Sequence, residues 1–384
     1  MVQHGERIAI FVPSLGGGGA ERVMVTLANA FTEAGYKVDL VLAKAEGEYL
    51  NQLRPELRVI DLKSSRVMSS IPALVRYLRE SKPAVVLSAL THANLAAILA
   101  RLFSRVKFRL VVSERANLSV SAANANSLRM RLIKRLVAMA YPYADHVITV
   151  SQGVADDLVH ELGISASKVT AVYNPVVDDE LLALSHEPVR DPWFEDPSVP
   201  VVVGAGRLVR QKDFATLMHA VGLVNRHQPV RLVILGEGDL RDELSALIER
   251  EGYTGFVRLA GFQENPFAYM RKASLFVLSS AWEGLPGTLI QAMACGVPVV
   301  STDCPDGPAE ILEGGRWGRL VPIGDVKAMA AAIEKTLNAD ECPKVYERAL
   351  HFSVDNAVQR YLEILLPLNY KPQNQIESRS GEGK

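Results

Sequence analysis

The sequence predicts an α/β protein built from two doubly wound parallel sheets, one in each half of the chain. Three observations carry this expectation. The chain has 384 residues, more than one ordinary core fills, so two domains are expected. Short runs rich in Val, Ile and Leu alternate with amphipathic helical patterns from the first residues onward. That alternation breaks once, at a Pro-rich acidic stretch over 184–200, and then begins again.

In the first half, "RIAIFVP" reads as a buried strand and "AERVMVTLANAFTEAG" as an amphipathic helix closed by Gly35. "KVDLVLA", "AVVLSAL", "FRLVVSE" and "HVITVS" are further strands separated by helices. A first domain over 1–183 follows from them. "LSHEPVRDPWFEDPSVP", residues 184–200, reads as a linker. Beyond it "VVVGAGRL", "RLVILGEG", "FVRLAGF", "LFVLSS" and "PVVST" are strands of a second domain over 201–350. A last helix, about 353–366, is expected to pack back on the first domain, and 367–384 is a polar tail expected to be disordered.

Composition narrows the function. Lys and Arg number 42 against 43 Asp and Glu, so a net charge of −1 gives no global attraction for nucleic acid. The charge is uneven, with 21 Lys/Arg against 17 Asp/Glu up to Glu180 and the acidic excess beyond it. Nine bases lie between Arg101 and Arg135, where Glu114 is the single acid. Two readings of "LRMRLIKRLVAMAYP" stay open, a solvated face and a basic amphipathic helix resting on an anionic membrane. Arg66, Arg76 and Arg79 add to the same basic character.

The three cysteines, Cys295, Cys304 and Cys342, have no CxxC spacing, which suggests reduced thiols rather than a disulfide frame or a zinc site. The N-terminal stretch lacks a signal-peptide pattern, and no apolar run reaches the ~18–20 residues that span a bilayer. Any membrane contact is expected to be peripheral.

Ligands of doubly wound sheets bind at the carboxyl ends of the strands, so the loops there are the place to look for chemistry. "SLGGGGAERV" sets Gly16, Gly17, Gly18 and Gly19 between the first strand and a helix start. It is neither a clean GxGxxG nor a Walker loop, which leaves a phosphate or sugar contact and a plain turn. "GAGRLVRQKDF" offers Arg207 and Lys212 from one loop, a forked donor and a point charge suited to a diphosphate, or simply a solvated basic loop. In "SAWEGLPGTLIQAMACG", Glu283 precedes a Gly/Pro loop and a helix start. It reads as a helix-capping carboxylate or as a hydrogen-bond acceptor for a hydroxylated ligand.

Taken in order, "GGAERVMVTLANAF", "VSER", "ITVSQGV", "VYNPV", "GAGRLVRQKDF", "LVILGEGDLRDEL", "LAGFQENPFAYM" and "EGLPGTLIQAMACGVPVVSTDCPDGPAEIL" resemble the retaining glycosyltransferases of family 4. The resemblance covers nearly the whole chain, and its nearest subgroup extends bacterial lipid-linked oligosaccharides or lipopolysaccharide cores. It implies the GT-B fold, two facing Rossmann-like domains with a cleft between them. It also implies transfer of a hexose or N-acetylhexosamine from a nucleotide-diphosphate sugar, UDP-activated, to a glycan or lipid-linked glycan acceptor. No cofactor and no metal are implied, nor any nucleic-acid partner. An anionic membrane surface is the further partner, and the location implied is the cytoplasmic face of the inner membrane.

The resemblance assigns roles residue by residue. Arg207, Lys212, Glu283 and His92 would be catalytic, His92 standing in "THAN" where relatives place an active-site histidine. Gly16 to Gly19, Gly206, Gly236 and Phe262 would line the donor site. Gly284, Leu285, Pro286, Gly287 and Thr288 would meet sugar and phosphate, and Gln291 the ribose. Glu114, Arg115 and Asn117 in "SERAN" would face the acceptor. Two departures stand out. Gln291 replaces the second Glu of the family's Glu, seven residues, Glu signature, weakening one ribose contact by ~1–2 kcal/mol. Arg115 stands where several relatives have His.

No DxD motif is present to hold a metal, so the electrophile falls to Arg207, Lys212 and helix N-termini. Two alternatives share this architecture. One is a nucleotide-sugar 2-epimerase. The other is a degenerate protein that binds nucleotide-sugar without transfer, suggested by Gln291 and opposed by the retained Arg207, Lys212 and Glu283.

Overall fold

The computed structural model describes residues 6–16, 18–125 and 128–367. The chain divides into two compact units. The first runs up to Pro175 and resumes at Val354, and the second is Val176–Ser353.

The first unit is a seven-stranded sheet of β1 (Arg7–Val12), β2 (Lys37–Leu42), β3 (Arg58–Asp61), β4 (Val85–Ala89), β5 (Arg109–Glu114), β6 (His146–Thr149) and β7 (Val169–Ala171). Every pairing is parallel, in the order β3-β2-β1-β4-β5-β6-β7. Central strands such as "IAIFV" are apolar on both faces because helices cover both. The helices are α1 (Gly19–Glu33), α2 (Ile71–Ser81), α3 (Thr91–Ser104), α4 (Leu118–Ala125), α5 (Leu128–Ala140) and α6 (Gln152–Asp156). In α1, Met24, Leu27, Ala28 and Phe31 recur at helical spacing and are fully buried, and the helix ends at Glu33, two residues before Gly35.

The second unit repeats the plan with six parallel strands, β8 (Val201–Ala205), β9 (Arg231–Leu235), β10 (Val257–Gly261), β11 (Leu275–Leu278), β12 (Val299–Thr302) and β13 (Arg319–Val321). Their order is β10-β9-β8-β11-β12-β13. Its helices are α7 (Asp179–Ser185), α8 (Pro192–Glu195), α9 (Phe214–Val224), α10 (Arg241–Arg250), α11 (Pro266–Lys272), α12 (Gly287–Ala294), α13 (Pro308–Ile311), α14 (Val326–Leu337) and α15 (Val345–Ala349). The last helix, α16 (Val354–Leu365), belongs to the first unit. Its Ala357, Tyr361 and Leu365 lie one turn apart and are buried, the latter two in the cluster around Phe31 and Leu27.

Two expectations need correction. The first unit's leading stretch ends at Pro175 rather than 183, the second unit begins at Val176 rather than 201, and the stretch 184–200 is not a free linker but part of that second unit. The buried Asp191 caps α8 by accepting from the Trp193 amide and pairs with Arg258. Arg231 donates to the Trp193 carbonyl at 3.1 Å and pairs with Asp196 at 3.1 Å. Arg258 also lies 4.5 Å from the Trp193 ring centroid. Two of the acidic residues that read as linker, Asp191 and Asp196, are therefore partners of arginines on β10 and β9. The expectation for the tail falls beyond residue 367, outside the described residues.

Candidate active site

In both sheets the chain reverses its direction of growth once, between β1 and β4 and between β8 and β11. Loops that leave adjacent strands toward opposite sides open a crevice there, where ligands of this fold class bind. In the second unit the loop after β8 carries Gly206, Arg207 and Lys212, and the loop after β11 carries Glu283 to Pro286.

These two loops are joined across the switch point. Lys212 Nζ donates to Glu283 Oε1 at 2.5 Å, with side chains only 16% and 9% exposed. Ser280 Oγ donates to the same oxygen at 2.6 Å. Ser279 Oγ donates to the Lys212 carbonyl at 2.7 Å, Gln211 Nε2 to the Trp282 carbonyl at 2.8 Å, and the Ala281 amide to the Gln211 carbonyl at 2.8 Å. Arg207 is exposed and forms no ion pair among the described residues. Among the described residues Lys212 is thus an anchored cation and Arg207 an unpaired one.

The neighbouring loops close in at backbone level. Gly236, at φ 135°, follows β9, and a Cβ there would lie 2.1 Å from the Gly206 carbonyl oxygen. Only glycine permits that approach. Phe262 follows β10 and keeps 73% of its surface exposed. On the other side, Gly307 (φ 99°) fits against Pro286 and Leu285, where a Cβ would meet Pro286 Cδ at 2.5 Å. The loop after β12 thereby backs the Glu283–Pro286 turn.

Helix α12 begins at Gly287 with Pro286 as N-cap and no side-chain cap. Its first amides point outward with the positive end of the helix dipole. The Thr288 hydroxyl is buried and has no hydrogen-bond partner among the described residues. Gln291 lies one turn further along, partly exposed, so Gly287, Thr288 and Gln291 share one helical face. Cys304 is buried nearby, and burial, followed by the Glu283 charge, pushes its thiol up to about 12.

In the first unit, the loops after β1, β4 and β5 are neighbours around the other switch point. Gly16 and Gly19 are exposed and Gly18 is the N-cap of α1, while Gly17 lies outside the described residues. His92 is exposed on the first turn of α3, just after Leu90, which is held at φ 77°. A bulky residue at positive φ is strained, and such strain gathers at functional loops.

Glu114 does not face solvent as its assignment to the acceptor side would require. It is 1% exposed and held by Thr91 Oγ1 at 3.1 Å, the Arg115 amide at 3.0 Å and the Tyr141 hydroxyl at 2.5 Å. Asn94 in turn donates to the Tyr141 oxygen at 2.9 Å. Asn117 Oδ1 is engaged as a cap, accepting from the Val120 amide at 2.9 Å as α4 begins. Arg115 donates to Asn174 Oδ1 at 2.6 Å. Glu114 and Asn117 therefore fix the loop that carries Arg115, and Glu114 also fixes the first residue of the helix that carries His92.

Both halves of the chain match family models. Residues 17–180 match the one described as Glycosyltransferase Family 4, and residues 199–339 the one described as Glycosyl transferases group 1. A Campylobacter jejuni N-acetylgalactosamine-N,N'-diacetylbacillosaminyl-diphospho-undecaprenol 4-alpha-N-acetylgalactosaminyltransferase is 31% identical over 353 residues, 89% of this chain and 93% of its own length. The chain is a family 4 glycosyltransferase. A second C. jejuni relative, an α-1,4-N-acetyl-D-galactosaminyltransferase, is 27% identical over 94% of this chain and 98% of its own. Among solved structures, Anabaena HepE in complex with UDP-glucose superposes with a TM-score of 0.78 at 21% identity, covering 94% of this chain and 100% of that one. The lipopolysaccharide outer core galactosyltransferase WaaB gives 0.73 at 21%, covering 93% and 98%. That likeness is one of fold, and the fold is GT-B.

In this glycosyltransferase the structure brings Arg207, Lys212, Glu283, Gly206, Gly236, Phe262 and the Gly284–Gln291 segment to one end of the second sheet. Sequence reasoning missed Ser279 and Gln211, which join the two loops, Ser280, which holds Glu283 within its own loop, and Tyr141 and Thr91, which enclose Glu114. Ser279 and Ser280 had a signal, since paired serines ended a predicted strand. Tyr141 had none.

Burial raises the pKa of the Glu114 carboxyl, and hydrogen bonds from Tyr141, the Arg115 amide and Thr91 oppose it. A raised native pKa means that native protein keeps a proton that unfolded chain releases, so Glu114 weakens stability as pH rises through its native value. Tyr141→Phe removes an opposing hydrogen bond and enlarges that loss. We expect urea denaturation to show Y141F less stable by about 1–3 kcal/mol at neutral pH, the difference shrinking toward the ordinary carboxyl range. A difference independent of pH would show that the hydroxyl does not act on the Glu114 charge.

Proposed function

We propose that this glycosyltransferase moves a hexose or N-acetylhexosamine, with retention, from a UDP-sugar to a lipid-linked glycan. The Lys212–Glu283 pair at the switch point is the observation that carries the donor half of this reading. A nucleoside diphosphate sugar presents two adjacent demands, for cations at its phosphates and for hydroxyl acceptors at its sugar, and this pair offers both. Arg207 adds a forked donor, the amides heading α12 add dipole, and the exposed Phe262 offers a face on which a base can stack. Gln291 offers an uncharged acceptor where a ribose hydroxyl would lie. The acceptor half is supported by the undecaprenol-diphosphate wording in the relatives' names, and UDP by the complexes of HepE.

In the transition state the bond from the anomeric carbon to phosphate breaks while the acceptor hydroxyl adds from the same face. Its proton passes to the phosphate oxygen that leaves. Negative charge grows on the diphosphate, where Lys212 and Arg207 stabilise it as an electrostatic clamp without metal. Lys212→Ala is expected to lower kcat by roughly 10²–10³, with EDTA leaving wild-type turnover unchanged and NMR of the product showing the donor's anomeric configuration. Unchanged kcat, or inversion, would contradict the mechanism. Donor incubated without acceptor should keep its sugar configuration, which separates transfer from epimerisation.

The reading places the protein at an anionic membrane surface. No helix among the described residues is long and apolar enough to cross a membrane. On α5, however, Leu128, Leu132 and Leu136 recur every four residues, and they and Met139 are exposed, Leu128 at 82%. Arg129, Arg131 and Arg135 are exposed beside them. Leu102 and Phe103 at the end of α3, and Tyr143, extend the apolar surface. Not every base contributes: Arg79 caps α3 through the Phe103 and Ser104 carbonyls, and Arg101 pairs with Asp145. Apolar side chains flanked by cations suit a charged headgroup layer over acyl chains. Co-sedimentation with vesicles should require anionic lipid, fall with salt and be lost in L132E/L136E while UDP binding persists. Absent or salt-insensitive binding would overturn the membrane role.

A further inference from the structure

Two serines at the end of β11 carry hydroxyls that the transfer chemistry leaves unused. Ser279 and Ser280 are 1% and 0% exposed, so neither reaches a ligand directly. Each donates instead to one member of the Lys212–Glu283 pair. Ser280 Oγ bonds Glu283 Oε1 at 2.6 Å, and Ser279 Oγ bonds the Lys212 main-chain carbonyl at 2.7 Å. Ser280 is itself fixed by Thr302 Oγ1, which donates to the Ser280 carbonyl at 2.6 Å.

The consequence for Glu283 is geometric. Its Oε1 accepts two donors, Ser280 and Lys212, and no described residue donates to Oε2. The terminal torsion of a glutamate is broad and soft, so an unanchored carboxylate exchanges its two oxygens freely. With Ser280 present, Oε1 stays turned inward and Oε2 stays available. When Lys212 shifts its ammonium toward a phosphate, Ser280 still holds Oε1, and the carboxylate keeps its orientation as the cation leaves it.

The geometry points to a division of labour: Ser280 is a positioning residue for the carboxylate that meets the donor sugar, and Ser279 for the lysine that meets the diphosphate. This rests on the reading of the pair as a donor site. The competing account is that both hydroxyls only satisfy loop groups, in which case their loss affects every ligand alike.

Calorimetric titration of the full-length protein with UDP, and with the UDP-N-acetylhexosamine that wild type binds most tightly, separates the two. Ser280→Ala is expected to bind UDP as wild type does, and the intact nucleotide sugar about tenfold to a hundredfold more weakly, the range of a charge-assisted hydrogen bond. Ser279→Ala is expected to weaken both ligands together. Ser280→Thr, which keeps the hydroxyl, should restore sugar discrimination. Ser280→Cys, nearly isosteric with a weak donor, should behave as S280A and covers the case in which alanine impairs folding. In a Glu283→Gln background, S280A should add little. Equal weakening of UDP and nucleotide sugar by S280A, no weakening of either, or full additivity with E283Q would overturn the assignment. Wild type that binds neither ligand would overturn the donor reading and the serine roles with it. Wild type that binds both, beside an S280A that matches it, would overturn the serine roles alone.

Discussion

A cation and a carboxylate held 2.5 Å apart with little access to water are expensive to maintain, and the second unit is organised around doing so. Lys212 and Glu283 are 71 residues apart in sequence and meet only because β8 and β11 lie side by side where the strand order reverses. Loss of either partner would leave a charge desolvated and alone, a loss of about 3–5 kcal/mol in buried pairs generally. A hydrophobic pair would fill the same space more cheaply. Under the proposed function the charges serve a ligand site, where a diphosphate sugar would supply a second acceptor for the lysine and a hydroxyl donor for the glutamate. Around the pair, Gly236 and Gly307 permit backbone contacts that set the loops' spacing.

The first unit uses a buried carboxylate differently. Glu114 serves its own chain, drawing Thr91, Tyr141 and the Arg115 amide to one point below the strand ends. Arg115 is then carried on a loop, and His92 on a helix, whose starting residues are fixed, while Leu90 takes the strain of the turn between β4 and α3. A carboxylate read from sequence as facing the acceptor thus turns inward and holds its own chain together.

Legibility followed burial. Central strands such as "IAIFV" and "LVIL" were evident because both faces are covered and every residue is apolar. The edge strands β3, β7 and β13 escaped notice: they are short, and β3 exposes three of its four residues. The stretch 184–200 looked like a linker because Pro and Asp resemble loop composition, and its arginine partners on β9 and β10 are distant in sequence. At the site, charged and glycine residues on strand-end loops were readable from the motif order. Tyr141 was not, and the paired serines Ser279 and Ser280 marked only the end of a strand, because a buried hydroxyl gains its role from a tertiary partner. The amphipathic pattern of α5 was readable as well, but only the fold shows that its leucines face outward, with Val137 alone among the described residues of that helix buried.

The central claim is that Lys212 and Glu283 divide a nucleotide sugar between them. A crystal structure of the protein with a UDP-sugar tests it most directly. The account predicts Lys212 Nζ and the Arg207 guanidinium within hydrogen-bond distance of phosphate oxygens, and Glu283 Oε2 accepting from a sugar hydroxyl while Oε1 stays on Ser280. A diphosphate seated away from Lys212, or a sugar that leaves Glu283 untouched, would contradict it.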